Sequence, residues 1–185
     1  VNNLVHIDNL TRGYPGQRII YHEFDFNLWK GDFCFIVWKS GSWKTSLMKL
    51  LTRAVKPGTW NVYVKWDDVA RLNIDEVQAL RRRIWVIYQD YKLLSDRSVL
   101  ENVMLPLQLQ DADELVAKEK ALTIIKEFDF MSKAHTKVAY LSWWEKQKVA
   151  IMRALVWDPQ FLIADEPTWN LDQEATTMIA DMLIE

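Results

Sequence analysis

The residues best suited to chemistry begin with Lys44 and Thr45, which stand between an apolar run and a segment with helical spacing. A phosphate-binding loop reads G-x-x-x-x-G-K-[ST] in this context, where backbone amides and the lysine bind phosphate and the hydroxyl binds Mg²⁺. Residues 38–45 read WKSGSWKT, so the lysine and threonine match while tryptophan replaces both glycines. The segment predicts a phosphate site, although a lysine that opens a helix by chance explains this stretch, taken alone, about equally well.

Two adjacent carboxylates, Asp165 and Glu166, directly follow the apolar run 161–164, which reads FLIA. An aspartate at the end of such a strand can hold a metal ion, and the next glutamate can polarise an attacking water. Adjacent acids at a strand end are also common surface features. Their position downstream of the phosphate-binding segment favours a shared site for phosphoryl transfer.

The elements that must position these residues follow from hydrophobic periodicity and turn residues. We predict strands over 4–7, 19–28, 33–37, 59–64, 84–88 and 161–164, and helices over 44–55, 74–83, 99–107, 112–130, 145–156 and 173–185. Strands alternating with helices in this way predict an α/β fold. We expect a mostly parallel sheet around the phosphate loop, an antiparallel β part formed by the N-terminal segments, and a helical subdomain.

Two packing expectations accompany this fold. Residues 33–37 form a continuous apolar run, which is typical of a strand buried on both faces, and Cys34 within it is predicted to be a small buried hydrophobic residue. In the helix over 112–130, the predicted inward stripe consists of Leu115, Leu122, Ile125 and Phe128.

Composition limits the classes of function. The 185 residues, 50% of them hydrophobic, suffice for one substantial core. A net charge of −2, from 23 basic and 25 acidic residues, gives no electrostatic footprint for nucleic acid. The single cysteine excludes a disulfide framework, and no apolar run approaches the roughly 18 residues that would span a bilayer. We therefore expect a cytoplasmic chain whose link to a membrane comes through a partner.

Further motifs point to a known family. Residues 141–147 read LSWWEKQ and resemble the LSGGQ or LSGGE signature of ABC-type ATPases, and they precede the 161–164 strand as in that family. Residues 168–172 resemble its D-loop, residues 88–90 its Q-loop, and Tyr14 its adenine-stacking aromatic residue. With the two motifs above, the resemblance covers essentially the whole chain. Within the family, residues 89–99 resemble the FtsE cell-division branch, while lipoprotein-release and macrolide-export ATPases stay open.

The resemblance implies a P-loop NTPase of ABC type that binds ATP and Mg²⁺. Lys44 and Glu166 are the implied catalytic residues, the latter as general base. Thr45, Gln89 and Asp165 are the implied Mg²⁺ ligands, Asp165 acting through the metal's water shell. The implied ATP-binding positions are Tyr14, Trp38, Lys39, Ser40, Gly41, Ser42, Trp43, Lys44, Thr45, Ser46, Gln89, Ser142, Trp143, Trp144, Glu145 and Asp172.

The resemblance also implies an organisation and partners. Residues 1–185 would form one nucleotide-binding domain, with 1–89 and 136–185 as the ATP-binding core and 90–135 as the Q-loop and helical subdomain. That subdomain would dock on an FtsX-like integral membrane partner at the inner face of the cell membrane, and ATP would drive a head-to-tail homodimer. The family's switch histidine is expected beyond Glu185. A catalytically inactive ABC-like binding module is the alternative, and an unrelated P-loop kinase or GTPase leaves residues 141–145 unexplained.

Eight of the ten tryptophans stand where the family pattern has glycine: Trp38, Trp43, Trp60, Trp66, Trp85, Trp143, Trp144 and Trp169. Random drift would not choose one replacement so consistently. Glycine lets a backbone adopt positive φ and approach phosphate closely, whereas an indole is the largest side chain. We therefore expect Trp43 to obstruct the phosphate loop and Trp143 and Trp144 to obstruct the signature, so that ATP binding is severely weakened and hydrolysis is close to absent.

Overall fold

The computed structural model describes residues 3–13, 19–36, 43–55, 61–65, 67–167 and 177. In chain order, these residues form β1 (Asn3–Gly13), β2 (Ile19–Trp29), α1 (Trp43–Leu51), β3 (Asn61–Val64), β4 (Asp67–Asp68), α2 (Ile74–Arg83), β5 (Ile84–Ile87), α3 (Val99–Gln108), α4 (Glu114–Glu127), α5 (Trp143–Leu155) and β6 (Phe161–Ala164). The chain divides into two compact units, Val1–Ile84 with Ile184–Glu185, and Trp85–Leu183. Tyr14, Asp172, the loop residues 38–42 and, apart from residue 177, the predicted helix 173–185 lie outside the described residues.

The first unit is built on a four-stranded sheet in the order β2-β1-β3-β4. β1 pairs antiparallel with β2 and with β3, and β3 pairs antiparallel with β4. Alternate residues of β1 and β3 point into the core, where Val5, Ile7 and Val62 are fully buried. The predicted antiparallel β part at the N-terminus is therefore confirmed, and β4 is a strand that the sequence reasoning missed.

One predicted strand of the first unit is wrong over residues 33–36. Residues 33–36 have no regular secondary structure, and Phe33, Phe35 and Ile36 are exposed. Cys34 is likewise exposed, not buried. A strand exists only where a neighbour takes its backbone hydrogen bonds, and none of the placed strands pairs with this segment. An apolar run predicts burial, but it does not show whether a neighbouring strand is present to pair with it.

The second unit has a helical core that includes α3 and α4, which lie inside the predicted subdomain 90–135, and α5, which lies outside it. Buried side chains of α3, α4 and α5 pack into one cluster, including Val103, Ile125 and Val149. On α4 the buried stripe is Ala117, Ala121, Ile124 and Ile125. Leu115 was expected on this stripe and is 72% exposed, because it lies in the first turn, to one side of the face that these four residues define. No placed helix is both long and apolar enough to cross a membrane.

Two short strands of the second unit position its polar residues. β5 and β6 are hydrogen-bonded neighbours, although 73 residues separate the end of β5 from the start of β6 along the chain. The backbone amide of Asp165, directly after β6, donates to the carbonyl of Ile87, the last residue of β5, at 2.9 Å. The carboxyl ends of both strands therefore lie at the same edge. This is the edge at which α/β sheets place ligands.

Candidate functional site

In the first unit, the predicted phosphate-binding residues lie at the start of α1. Lys44, Thr45 and Ser46 occupy its first turn, the first two half-buried and Ser46 buried. That turn holds no acidic residue, so no carboxylate within it neutralises the positive end of the helix dipole. A helix start of this kind favours a phosphate group. Of Trp43, only the backbone is described.

In the second unit, three predicted site residues meet at the common edge of β5 and β6. Gln89 is exposed in the turn after β5, and the half-buried Asp165 and Glu166 follow β6. Glu166 has a φ of 50°, a conformation that non-glycine residues adopt at the expense of strain and that recurs at functional sites. An amide oxygen and a carboxylate are hard oxygen ligands that suit Mg²⁺. The donor set at this edge therefore fits the ion that the sequence predicted.

The signature residues form the start of α5. Ser142 is the N-cap: its Oγ accepts the Glu145 amide at 3.3 Å, and the Glu145 carboxylate accepts the Ser142 amide at 2.8 Å. Lys133 forms an ion pair with Glu145, and together with the Ser142 amide it holds the pKa of the Glu145 carboxyl below its usual range. Glu145 thus caps α5, and its role in ATP binding stays a prediction.

The first two amides of α5 donate to no placed acceptor, and the same holds for Ile74 and Asp75 at the start of α2. Within the portion of the chain that is placed, no acceptor takes the backbone amides of Trp143 and Trp144. Helix starts leave such donors for capping groups, water or a ligand. The Trp143 side chain is 39% exposed, and its ring meets that of Tyr91 edge-on at 6.2 Å. The half-buried Trp144 packs under Lys148, whose Nζ lies 5.5 Å from the ring centroid.

Two buried polar residues of α5 that the sequence reasoning missed connect the helix to the other motifs. Gln147 is 2% exposed and donates through Nε2 to the carbonyl of Pro167 at 2.8 Å, directly after Glu166. Arg153 is 6% exposed and donates to the carbonyls of Tyr91 and Lys92, just after Gln89. Arg153 had a sequence signal, as a single charged residue within the apolar run 149–156, whereas Gln147, between two lysines, had none.

The structure thus brings together the Q-loop, the two carboxylates and the signature helix within the second unit. Lys44, Thr45 and Ser46 lie in the first unit at a helix start of their own. Each of these helix starts and strand ends has the chemistry of an anion or cation site.

Comparison with known proteins assigns the family. The family described as ABC transporter matches residues 21–169. The cell division ATP-binding protein FtsE of Haemophilus influenzae is 34% identical over 183 residues, which cover 98% of this chain and 84% of that protein. The methionine import ATP-binding protein MetN of Photobacterium profundum is 37% identical over 174 residues, covering 93% of this chain and 51% of MetN.

Solved structures agree with the α/β fold class. A dimeric ATP-binding cassette in a post-hydrolysis state, bound to ADP and Pi, superposes with a TM-score of 0.85 at 31% identity, over 97% of this chain and 81% of that one. CbiO1 of Clostridium perfringens, part of an ABC transporter complex, shares the fold with a TM-score of 0.88 at 22% identity, over 100% of this chain and 73% of that one. The chain therefore belongs to the ABC transporter family, as an ATP-binding subunit with the α/β P-loop fold and, by family, the activity of an ATPase.

Proposed function

We propose that this chain binds and hydrolyses ATP as the FtsE-like subunit of an ABC complex, acting with an integral membrane partner in cell division. The observation that carries the proposal is the arrangement of the second unit. Gln89, Asp165 and Glu166 share one sheet edge, while α5 begins with two backbone amides that no placed acceptor takes. The oxygen donors suit a metal ion, and the amide donors suit a phosphate, which in a dimer would be the one bound by the other copy.

Each residue has a stated role in this proposal. Lys44 and the first-turn amides of α1 bind the β- and γ-phosphates, and Thr45, Gln89 and Asp165 would hold Mg²⁺. When bound, the ion neutralises charge on the phosphate oxygens. Glu166 accepts a proton from the water that attacks the γ-phosphate. These assignments extend the family's chemistry to this chain's own side chains.

The start of α5 serves a second copy of the chain. Ser142 uses its oxygen to cap the helix, and its hydroxyl hydrogen can still be donated to an anion. The similar cassette structures are dimeric, and a head-to-tail dimer would bring Ser142 and the α5 amides to the γ-phosphate held by the other copy. The segment after Gln89 and the helices α3 and α4 would dock on the FtsX-like membrane partner.

The test is equilibrium binding of Mg²⁺·ATP, followed by hydrolysis, for the chain as it stands and for a Trp38→Gly, Trp43→Gly variant. We expect weak binding by the unaltered chain and restored binding by the variant, because glycine reopens the loop to phosphate. Hydrolysis is compared in a chain with glycine at positions 38, 43, 143 and 144, where adding Glu166→Gln should preserve binding and slow hydrolysis by roughly 100-fold or more. Hydrolysis that survives Glu166→Gln would contradict the role of that carboxylate.

The alternative from another class is a catalytically inactive ABC-like module that only binds partners, and the tryptophans favour it. The same experiment separates the two. If the glycine variant folds, with the far-UV circular dichroism of the parent, yet binds no ATP, the binding module is the better description. Tight ATP binding by the unaltered chain would instead contradict the obstruction that we expect from Trp43.

A further inference from the structure

The turn that follows Gln89 contains two consecutive strained residues. Tyr91 and Lys92 have φ values of 59° and 49°, in the left-handed region, which is unfavourable for non-glycine residues. The Tyr91 amide donates to the Tyr88 carbonyl at 3.0 Å, and the Lys92 amide donates to the Asp90 carbonyl at 2.7 Å. Gln89 lies inside the first of these hydrogen-bonded turns. Such a conformation persists only where the surroundings hold it in place.

Arg153 holds Tyr91 and Lys92 in this conformation. Its Nη1 donates to the Lys92 carbonyl at 2.7 Å and its Nη2 to the Tyr91 carbonyl at 2.5 Å. Burial lowers the pKa of Arg153 to about 10, so the guanidinium is still charged at neutral pH. A buried arginine ordinarily faces a carboxylate, yet no carboxylate of the placed residues forms an ion pair with this one. Its charge is directed at two backbone carbonyls of the strained pair.

A second buried side chain holds the far end of the same segment. Asn102, on α3, is fully buried. It accepts the Leu94 amide at 2.8 Å and donates to the carbonyls of Leu94 and Ser98 at 3.0 and 2.9 Å. The segment 91–98 is therefore fixed by α5 at its start, close to Gln89, and by α3 at its end. The two side chains provide a matched comparison, because only Arg153 acts next to Gln89.

We propose that Arg153 is a positioning residue, which sets the place of Gln89 by holding the strained pair Tyr91–Lys92 against the helix that begins at Ser142. The inference rests on the proposed function and deepens it. Because α5 also contacts the turn after Glu166 through Gln147, a displacement of the Q-loop is transmitted to one rigid helix that contacts both other motifs. Arg153 therefore couples the placement of the metal ligand Gln89 to the signature.

The experiment measures two quantities in the full chain carrying glycine at positions 38, 43, 143 and 144. The first is the rate of hydrogen exchange at the backbone amides of Tyr91 and Lys92. The second is the Mg²⁺ concentration needed for half-maximal ATP binding, with metal-free ATP titrated in parallel. Arg153→Met should speed exchange of both amides about tenfold, since it removes both donors to the strained pair. It should also raise the Mg²⁺ concentration needed for half-maximal binding, with binding of metal-free ATP unchanged. Arg153→Lys should rescue only in part, because an ammonium lacks the planar fork.

Two controls keep the outcomes distinct. Arg97→Met removes an exposed arginine of the same segment and should change neither quantity. Asn102→Ala should speed exchange at Leu94 and leave the Mg²⁺ requirement unaltered. Unchanged exchange at Tyr91 and Lys92 in Arg153→Met overturns the proposal, and so does faster exchange with an unchanged Mg²⁺ requirement. A parent chain that binds no ATP contradicts the proposed function instead, and the exchange measurement still decides whether Arg153 holds the turn.

The tryptophans carry a second, independent inference. Eight of ten stand at positions where the family pattern has glycine, in three separate motifs and between them. At the start of α5, Trp143 and Trp144 occupy the two positions whose amides are unaccepted by any placed group, which is where a bulky side chain hinders an anion. Independent substitutions would yield many residue types. A single recurrent replacement indicates a single codon that specifies glycine under one set of decoding rules and tryptophan under another.

We propose that UGA encodes these eight positions and that the cells making this protein read UGA as glycine. A glycine transfer RNA that reads GGA needs one changed anticodon base to read UGA, whereas under other decoding rules UGA specifies tryptophan. The test is the codon at each of the eight positions, together with peptide mass spectrometry of the protein from its source cells. UGA codons with glycine in the peptides are expected. UGG codons, or tryptophan in those peptides, would overturn the proposal.

Discussion

Helices α3 and α5 begin with the same local motif but differ in what they do with their first amides. Ser98 and Glu101 form a capping box on α3, as Ser142 and Glu145 do on α5. On α3 the next two amides donate to the carbonyls of Thr136 and Ala134 at 3.0 and 2.9 Å. On α5 no placed acceptor takes them.

The side chains at these positions differ in the same sense. Val99 and Leu100, at the start of α3, are 0% and 6% exposed, so that helix start is part of the core. Trp143, at the corresponding position of α5, is 39% exposed. A capping box thus defines the first turn of both helices. The unaccepted amides and the exposed first position of α5 are what make its start, and not that of α3, a candidate anion site.

The largest expected difference comes from a carboxylate at the first position of each helix. Val99→Asp would bury a charge without a partner and should destabilise the chain by about 3–5 kcal/mol. Trp143→Asp should change the free energy of unfolding by less than about 0.5 kcal/mol, because the position is exposed and the helix dipole favours the charge. Urea unfolding followed by far-UV circular dichroism measures both. Equal losses would show that α5 begins in the core as α3 does.

A smaller difference should follow from removing each cap. Ser98→Ala and Ser142→Ala each remove one side-chain acceptor and should each destabilise the chain by about 1 kcal/mol. In a background with glycine at positions 38, 43, 143 and 144, only Ser142→Ala should also slow ATP hydrolysis, by roughly tenfold to 100-fold, the effect of one hydrogen bond to a charged group. Steady-state turnover measures this. A comparable loss in Ser98→Ala would remove the functional distinction between the two helices.

Local patterns predicted most of the helices and strands. The helix over 74–83 was confirmed at both bounds, and the helix over 99–107 was confirmed within one residue, because apolar periodicity ends at clear caps. The two apolar runs 33–36 and 161–164 look alike in the sequence. Only the second forms a strand, because β5 lies beside it. A pairing partner is a property of the fold that composition does not contain.

The separate motifs of the candidate site were predicted from the sequence, but the hydrogen bonds that connect them were not. Gln89, Asp165 and Glu166 were named from the sequence, and the structure brings them to one sheet edge. The polar contacts of α5 were missed, because Arg153 reaches carbonyls 61 and 62 residues away and backbone carbonyls have no sequence signature. Long-range contacts to main-chain atoms can be recognised only once the fold is known.

The smallest effect concerns the acid sensitivity of the α3 cap. The Glu101 carboxylate accepts the Ser98 amide and hydroxyl and pairs with Arg97, and these contacts, the amide first, lower the pKa of Glu101 to about 2. The unfolded pKa is about 4.3. A depressed folded pKa means that the stabilisation is complete above the unfolded value and is lost as pH falls toward the folded one.

Because Glu101 is 47% exposed, this stabilisation should amount to less than about 1 kcal/mol. Glu101→Gln should therefore flatten the fall in unfolding free energy between about pH 5 and pH 2.5 by that amount, and urea unfolding across this range measures it. Glu145→Gln should act in the same direction on α5, where Lys133 is the main cause of the lowered pKa. A Glu101→Gln chain that loses stability as steeply as its parent would show that the α3 cap does not depend on this charge. In that case the capping box of α3 would stabilise its helix without the charge of its glutamate, unlike the capping box of α5.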